Sequence, residues 1–321
     1  MLRRAWQSGM IALARSRRVK QFMQQRASAS RLAMRYIAGT SPAAEIKVCE
    51  QLAAGGIRAS AFFLGEYVTS PDLVEVNVVQ KLAIVRLLAS AGLDVHVSVD
   101  PTQLGQLFDP PAARANILRL GEAVRDAAGN RPGVHCVMLD IEDSSVTDAT
   151  LAHHEALLAE RLPAAQTLQA YLKRTENDLV RLISAGAKVR LVKGAFAESP
   201  DRAFVGRREI KRSYRRLMAL MLAPEARASG FYPIFATHDD RLQEEAIELA
   251  RVNNWQPGSY EFEMLYGARP DVAQALAARG ERVRLYVPFG QDWFPYAIRR
   301  IGENPRNALL LGRALMRSGG R

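Results

Sequence analysis

Arg299 and Arg300 stand side by side near the end of this sequence. Two adjacent guanidinium groups offer forked, permanently charged donor pairs of the kind that grip a carboxylate or a phosphate. Aromatic residues crowd around them. Tyr286, Trp293, Phe294 and Tyr296 fall within the same stretch, residues 282–303, which is a costly way to decorate a solvated surface. Elsewhere the chemistry narrows by elimination. No GxGxxG follows the first strand and no GxxxxGK[ST] occurs anywhere, so any phosphate must be met by side chains, for which Arg190 and Lys193 are the candidates. No serine or cysteine sits in a nucleophile-elbow sequence, and His238 has no partner arranged by sequence for triad chemistry. His153 and His154 precede Glu155, but neighbouring helical positions point about 100° apart, unlike metal ligands at i and i+4. What is left suits a cofactor that performs the difficult step while protein groups position it and an anionic substrate.

Elements must hold these residues in place. Val283, Leu285 and Val287 alternate with Arg282, Arg284 and Tyr286 at the two-residue period of a strand, which Pro288 and Gly290 are expected to stop. Asp292 then serves as the N-cap, and Pro295 as an early-turn proline, of a helix carrying Tyr296, Arg299, Arg300 and Glu303 along one side. Upstream, short apolar runs at residues 59–64, 95–99, 134–139, 167–172, 188–192, 232–236 and 259–262 read as buried strands. Helical patterns separate them, at residues 77–91, 112–127, 149–160, 176–184, 209–222, 241–252 and 271–278, with a further one at 46–54 ahead of the first strand. Eight strand-then-helix units imply an α/β fold, a (β/α)8 TIM-like barrel. Such barrels assemble their active sites at the C-terminal ends of the strands. Glu66, Asp100, Asp140, Gln169, Arg190 and Lys193 fall at or near those ends, as do Thr237, His238, Glu263 and Tyr286.

The bulk properties fit a large globular body with a basic arm. The 321 residues are 48% apolar, enough for a sizeable core. Cys49 and Cys136 lie far apart in no metal-ligand spacing, which points to a reducing compartment, and neither reads as a nucleophile. The net charge of +11 is concentrated: nine arginines and lysines precede Glu45, the first acidic residue, and the remainder is nearly balanced. Residues 1–44 are therefore read as a basic helical arm and 45–321 as the barrel. Leu2, Trp6, Met10 and Leu13 recur at helical spacing, so the arm is expected to be amphipathic. Packing on the body is its first expected role, peripheral membrane contact its second and a cleaved presequence its third. No apolar run is long enough for a transmembrane span, and no nucleic-acid signature accompanies the charge.

The segment LYVPFGQDWFPYAIRR, with SAFFLGE, LDIED, LQAYLKR, VRLVKGAF, YPIFATHD and YEFEMLYG, resembles the proline dehydrogenases, and the motifs keep one order from Tyr36 to Asn307. The resemblance implies a flavin-dependent barrel that oxidises L-proline to 1-pyrroline-5-carboxylate by hydride transfer to flavin N5. Its electrons would pass to a membrane quinone. It further implies that Arg299 and Arg300 bind the substrate carboxylate, with Tyr286, Tyr296 and Leu265 lining the pocket. FAD would be held by Gln169, Arg190, Lys193, Ala195, Thr237 and His238, with Glu303 among its contacts and Asp140 as a catalytic acid beside the flavin and substrate. Glu66 and Glu303 would support the arginines. No metal is implied. The expected location is the cytoplasm, or the mitochondrion in a eukaryote, with the arm as a candidate contact to the inner face of a membrane.

The sequence departs from the family pattern at informative places. Asp100 occupies the position where the family commonly carries a lysine near the substrate carboxylate, Asp239 replaces the asparagine of ATHN, and Phe196 replaces a tyrosine. Asp100 leaves open a same-family enzyme acting on another cyclic or N-substituted amino acid. A reading from another class is a non-catalytic, basic membrane- or nucleic-acid-binding protein.

Overall fold

The computed structural model describes residues 34–65, 68 and 70–303, the last three of these for their backbone alone. In chain order the elements are α1 (Pro42–Ala54), β1 (Arg58–Phe63), α2 (Pro71–Ser90), β2 (His96–Val99), a short 3-10 turn (Pro101–Leu104), α3 (Pro110–Ala128) and β3 (Cys136–Leu139). Then follow α4 (Thr147–Ala159), β4 (Ala164–Gln169), α5 (Thr175–Ser184), β5 (Lys188–Val192), α6 (Arg207–Met221), α7 (Pro224–Ala228) and β6 (Tyr232–Ala236). The chain continues through α8 (Asp240–Val252), β7 (Glu261–Leu265), α9 (Pro270–Ala278), β8 (Val283–Phe289) and α10 (Trp293–Glu303). The strands close into one barrel in sequence order, each parallel to its neighbours, with β1 meeting β8 in the register Phe62 to Pro288. This is the (β/α)8 architecture expected from the sequence.

Several helices begin earlier than the apolar periodicity suggests, because a proline opens them. Ser70 caps α2 by accepting from the Leu73 amide at 3.4 Å, with Pro71 as its first residue, six positions before the expected start. Ser41 with Pro42, and Asp109 with Pro110, repeat the device. Proline is tolerated there because the first amides of a helix have no intrahelical acceptor.

Three strands also differ from expectation. β4 lies three residues upstream, at Ala164–Gln169, and Leu172 instead bridges to Ala203. β7 is displaced to Glu261–Leu265, which moves Glu263 from a strand end into the strand. β8 runs on through Pro288 to Phe289; the Pro288 carbonyl accepts from Ala38 and the Phe289 carbonyl from Leu64. Pro288 therefore does not stop the strand. It lacks an N–H to donate, but its carbonyl still makes a bond.

The outward strand residues Val97, Val99, Val137, Leu139, Val189, Leu191, Val283 and Val287 pack in the apolar layer between strands and helices. The barrel interior is different. Apart from a small cluster of Cys136, Met138, Ala165 and Ile234, it is largely polar and charged, where branched apolar residues are the usual filling. Near the N-terminal ends of the strands, Arg284 is fully buried, donating to Glu261 at 2.7 Å, Asp94 at 2.8 Å and the Ala59 carbonyl at 2.7 Å. Such a network is held together because each charge would be costly alone.

Candidate active site

At the other end of the barrel, Arg190 is the centre of a second buried network. β5 carries it inward, 3% exposed, where it pairs with Asp140 beyond β3 and reaches Glu263 on β7 at 2.6 Å. Its Nε donates to Thr167 Oγ1 at 3.0 Å and its Nη1 to Ser98 Oγ at 3.3 Å. Burial pushes the Glu263 carboxyl up, while the Arg190 charge opposes the shift. β8 supplies Tyr286, whose hydroxyl donates to Asp140 Oδ2 at 3.0 Å and whose ring lies 5.4 Å from the Arg190 guanidinium. Burial, and after it the charge of Asp100, hold the Tyr286 hydroxyl well above its usual range, so it stays protonated as a donor. Thr167 and Ser98 were not anticipated as site residues. Their signal was only the inward phase of their strands.

The neighbouring strand ends complete the mouth. Gln169 donates its amide to the carbonyls of Ile141 and Glu142, both at 3.2 Å, and its Oε1 is buried with no hydrogen-bond partner among the described residues. After β6, the Thr237 amide donates to the Glu263 carbonyl and His238 Nε2 accepts from the Leu265 amide at 3.0 Å. Burial lowers the His238 pKa to about 4, with Arg300, Lys193 and Arg269 adding to it, so the imidazole is neutral, as an accepting nitrogen requires. Asp239 lies between Lys193 at 3.1 Å and Lys211 at 3.0 Å. Burial works to raise its pKa, but hydrogen bonds from the two lysines prevail and hold it at about 2. Lys211 was missed because it sits on α6, away from any strand end.

The turn after β5 needs glycine. Gly194 has φ +103°, and a Cβ there would meet the Tyr171 ring at 2.2 Å, so the backbone passes directly against that ring. Ala195 follows, exposed. Above the mouth, α10 carries Tyr296, buried, and Arg299 and Arg300, half-buried, with the Arg300 guanidinium 5.4 Å from the Tyr296 ring. Arg300 bears on His238 and Tyr296 on Tyr286, which sets this helix against the β6 and β8 ends. Asp100 stands at the end of β2, at the start of the 3-10 turn.

Glu66 and the Glu303 side chain lie outside the described residues, as does the basic arm through residue 33. The remaining expected residues surround one mouth. The histidine pair does not join them: His153 hydrogen-bonds Gln106 at 2.6 Å, and His154 is buried on the same helix. Cys49 and Cys136 are buried and unbridged, and burial pushes both thiols up, which leaves them poor nucleophiles.

Comparison with known proteins gives one consistent result. A family model described as proline dehydrogenase matches residues 10–311. The chain is 30% identical over 319 residues to proline dehydrogenase of Deinococcus radiodurans, covering 99% of this chain and 100% of that protein. It is 30% identical over 287 residues to proline dehydrogenase 1 of Bacillus subtilis subsp. natto, covering 89% and 91% respectively. Among solved structures, proline utilization A from Bdellovibrio bacteriovorus, inactivated by N-propargylglycine, superposes with a TM-score of 0.76 at 22% identity. That match covers 85% of this chain and 32% of the other. Proline utilization A from Corynebacterium freiburgense gives a TM-score of 0.70 at 23% identity, covering 95% and 34%. At such identities the structural likeness speaks for the barrel fold, and this chain spans only a part of those larger proteins.

Proposed function

The chain belongs to the proline dehydrogenase family, enzymes of proline catabolism, and from that premise we propose that its barrel mouth oxidises L-proline to 1-pyrroline-5-carboxylate on a non-covalently bound FAD. The observation that carries the reading is the joined set of Asp140, Arg190 and Tyr286 at the strand ends, beneath a helix that presents Arg299 and Arg300.

The residues fit the cofactor. The buried Gln169 Oε1, without a hydrogen-bond partner among the described residues, is an acceptor for a ring N–H. Lys193 and Lys211 bring two ammonium groups against the single Asp239 carboxylate, which leaves positive charge for a pyrophosphate. The Gly194 turn brings bare backbone to the same edge, with Ala195, Thr237 and His238 beside it. When bound, FAD supplies the hydride acceptor at flavin N5. In this reading Arg299 and Arg300 clamp the substrate carboxylate, and Tyr296, Tyr286 and Leu265 form apolar walls that keep water from the reacting carbon. Arg190 is already engaged by Asp140 and Glu263, so its part is to hold the floor of the site and fix the Asp140 carboxylate in place. A membrane quinone as electron acceptor, reached through peripheral contact by the arm, belongs to the same reading. The alternative of a non-catalytic basic binding protein does not survive the family assignment.

Purified protein is expected to carry FAD, and Lys193→Ala to bind it less tightly. A charge-assisted contact is worth about 1.5–3 kcal/mol. Lys193 is 39% exposed, so the lower end applies, an affinity loss of about tenfold. Flavin-to-protein absorbance ratios after dialysis measure it. Full occupancy in the variant would remove Lys193 from the cofactor site.

A further inference from the structure

Asp239 stands at the N-cap position of α8, where a carboxylate ordinarily accepts from the first unpaired amides of its helix. Its side chain makes no such bond. Both oxygens turn instead to lysines from other elements. Oδ1 accepts from Lys211 Nζ at 3.1 Å, and Oδ2 accepts from Lys211 Nζ at 3.0 Å and from Lys193 Nζ at 3.1 Å. Among the described residues no other side chain hydrogen-bonds to that carboxylate. An acid of the chain itself thus lies between two ammonium groups, at the edge proposed above for a pyrophosphate.

The two lysines hold the acid unequally. Lys211 reaches both oxygens and is 26% exposed, whereas Lys193 reaches one and is 39% exposed. Their supports differ as well. Lys211 lies on α6, which Tyr214, fully buried, ties to β5 by donating to the Leu191 carbonyl at 3.2 Å. Lys193 leaves the end of β5 at the turn made by Gly194. The nearest other charges are matched to each other: Arg215, also on α6, donates to Glu245 of α8 through two nitrogens, its Nε at 2.6 Å. One negative and two positive charges therefore share a single set of contacts, and the share of the acid that falls to Lys193 sets how readily this lysine turns to a ligand.

We propose that Lys211 is a positioning residue of the cofactor site: by taking up the Asp239 carboxylate, it releases the Lys193 ammonium to meet the pyrophosphate of FAD. Asparagine, the residue of the family motif at this position, lays no ionic claim on a lysine. Aspartate does, and the bidentate contact from α6 answers it. The inference rests on the FAD reading above.

The test dilutes the FAD-loaded full chain and reads the released flavin by its fluorescence. It compares the parent with Lys211→Met, with Lys211→Met plus Asp239→Asn, and with Lys211→Met plus Lys193→Ala, and follows thermal melting of each. Without Lys211 the acid falls to Lys193, so Lys211→Met is expected to weaken FAD binding about tenfold, as Lys193→Ala does. Adding Asp239→Asn, which keeps a side chain suited to an N-cap, is expected to return the affinity to within about threefold of the parent. Adding Lys193→Ala is expected to cost less than about threefold more, because Asp239 already engages that ammonium. A Lys211 that met the pyrophosphate independently would show the full loss of about tenfold again when Lys193 is removed. A lysine needed only for packing would lower the melting temperature with and without Asp239→Asn and leave the affinity unrestored. Either pattern, or an unchanged affinity in Lys211→Met, overturns the proposal. If Lys211→Met does not fold, its combination with Asp239→Asn decides: a folded chain that holds FAD as the parent does supports the proposal, and failure of either overturns it. A parent protein that carries no FAD overturns the function reading and this inference with it. FAD held by the parent, with release indifferent to Lys211→Met, overturns this inference alone.

Discussion

Arg190→Met is expected to destabilise the folded chain by about 3–5 kcal/mol, the usual consequence of removing one partner from a buried ion network. The arginine is 3% exposed, Glu263 2% and Asp140 13%, so neither carboxylate left behind can turn to bulk water. Thr167 and Ser98 would also lose the donor that joins them to the network. The deficit should depend on pH in a definite direction. Burial already holds the Glu263 carboxyl above its ordinary value against the pull of Arg190, so without the cation it rises further and the variant's folded state binds a proton there more readily than its unfolded state. A group of this kind stabilises below its unfolded pKa and loses that contribution as pH rises through the folded one. The gap to the parent protein should therefore be narrower near pH 5 than near pH 8. Urea titrations at both values, chosen over a salt denaturant that would screen the charges, measure it. A loss under about 1 kcal/mol would mean that the network relaxes freely and is not the floor of the site.

Arg299→Lys and Arg300→Lys are each expected to lower kcat/KM for L-proline by about ten- to a hundredfold. Lysine keeps the charge but loses the fork, so a carboxylate held in two-point geometry becomes free to rotate away from the productive orientation. Arg300 should show the larger loss, since its guanidinium also stacks 5.4 Å from the Tyr296 ring, an interaction an ammonium makes less well. Both arginines are half-buried, so melting temperatures should change little, which separates the effect from unfolding. Unchanged kinetics in both variants would take the clamp away from this helix.

Much of this architecture was legible in the residue pattern, and the parts that were not share physical causes. The alternation of apolar runs and helical stretches sufficed for eight strand and helix units, because parallel strands covered by helices are apolar on their outer faces. Strand ends were less legible. β4 and β7 carry Thr167, Glu261 and Glu263 into the barrel, so polar residues that resemble loop positions are strand interior. The strand-end acids and bases were recognisable one by one, but their bonds were not: Arg190 meets Glu263 across 73 positions, and Arg284 meets Asp94 across 190. The charge of Arg190 was legible in the sequence, whereas its partners Asp140 and Glu263 were not. Lys81 left a usable signal, a buried charge set among Val74, Val78 and Val85 at helical spacing on α2, which departs from the amphipathic rule. Lys211 left none, since a lysine on the strongly basic helix α6 looks like any solvated one.

The central claim is that the mouth of this barrel holds FAD and uses it on L-proline. Anaerobic titration of the purified full chain with L-proline, followed at the flavin absorbance, tests it most directly, with hydroxyproline, pipecolate and N-alkyl amino acids run in parallel. The account predicts an oxidised flavin spectrum before addition and complete bleaching by L-proline at lower concentration than by any other compound of the panel. A protein that purifies and reconstitutes without flavin, or a flavin that an N-alkyl amino acid bleaches and L-proline does not, would contradict it.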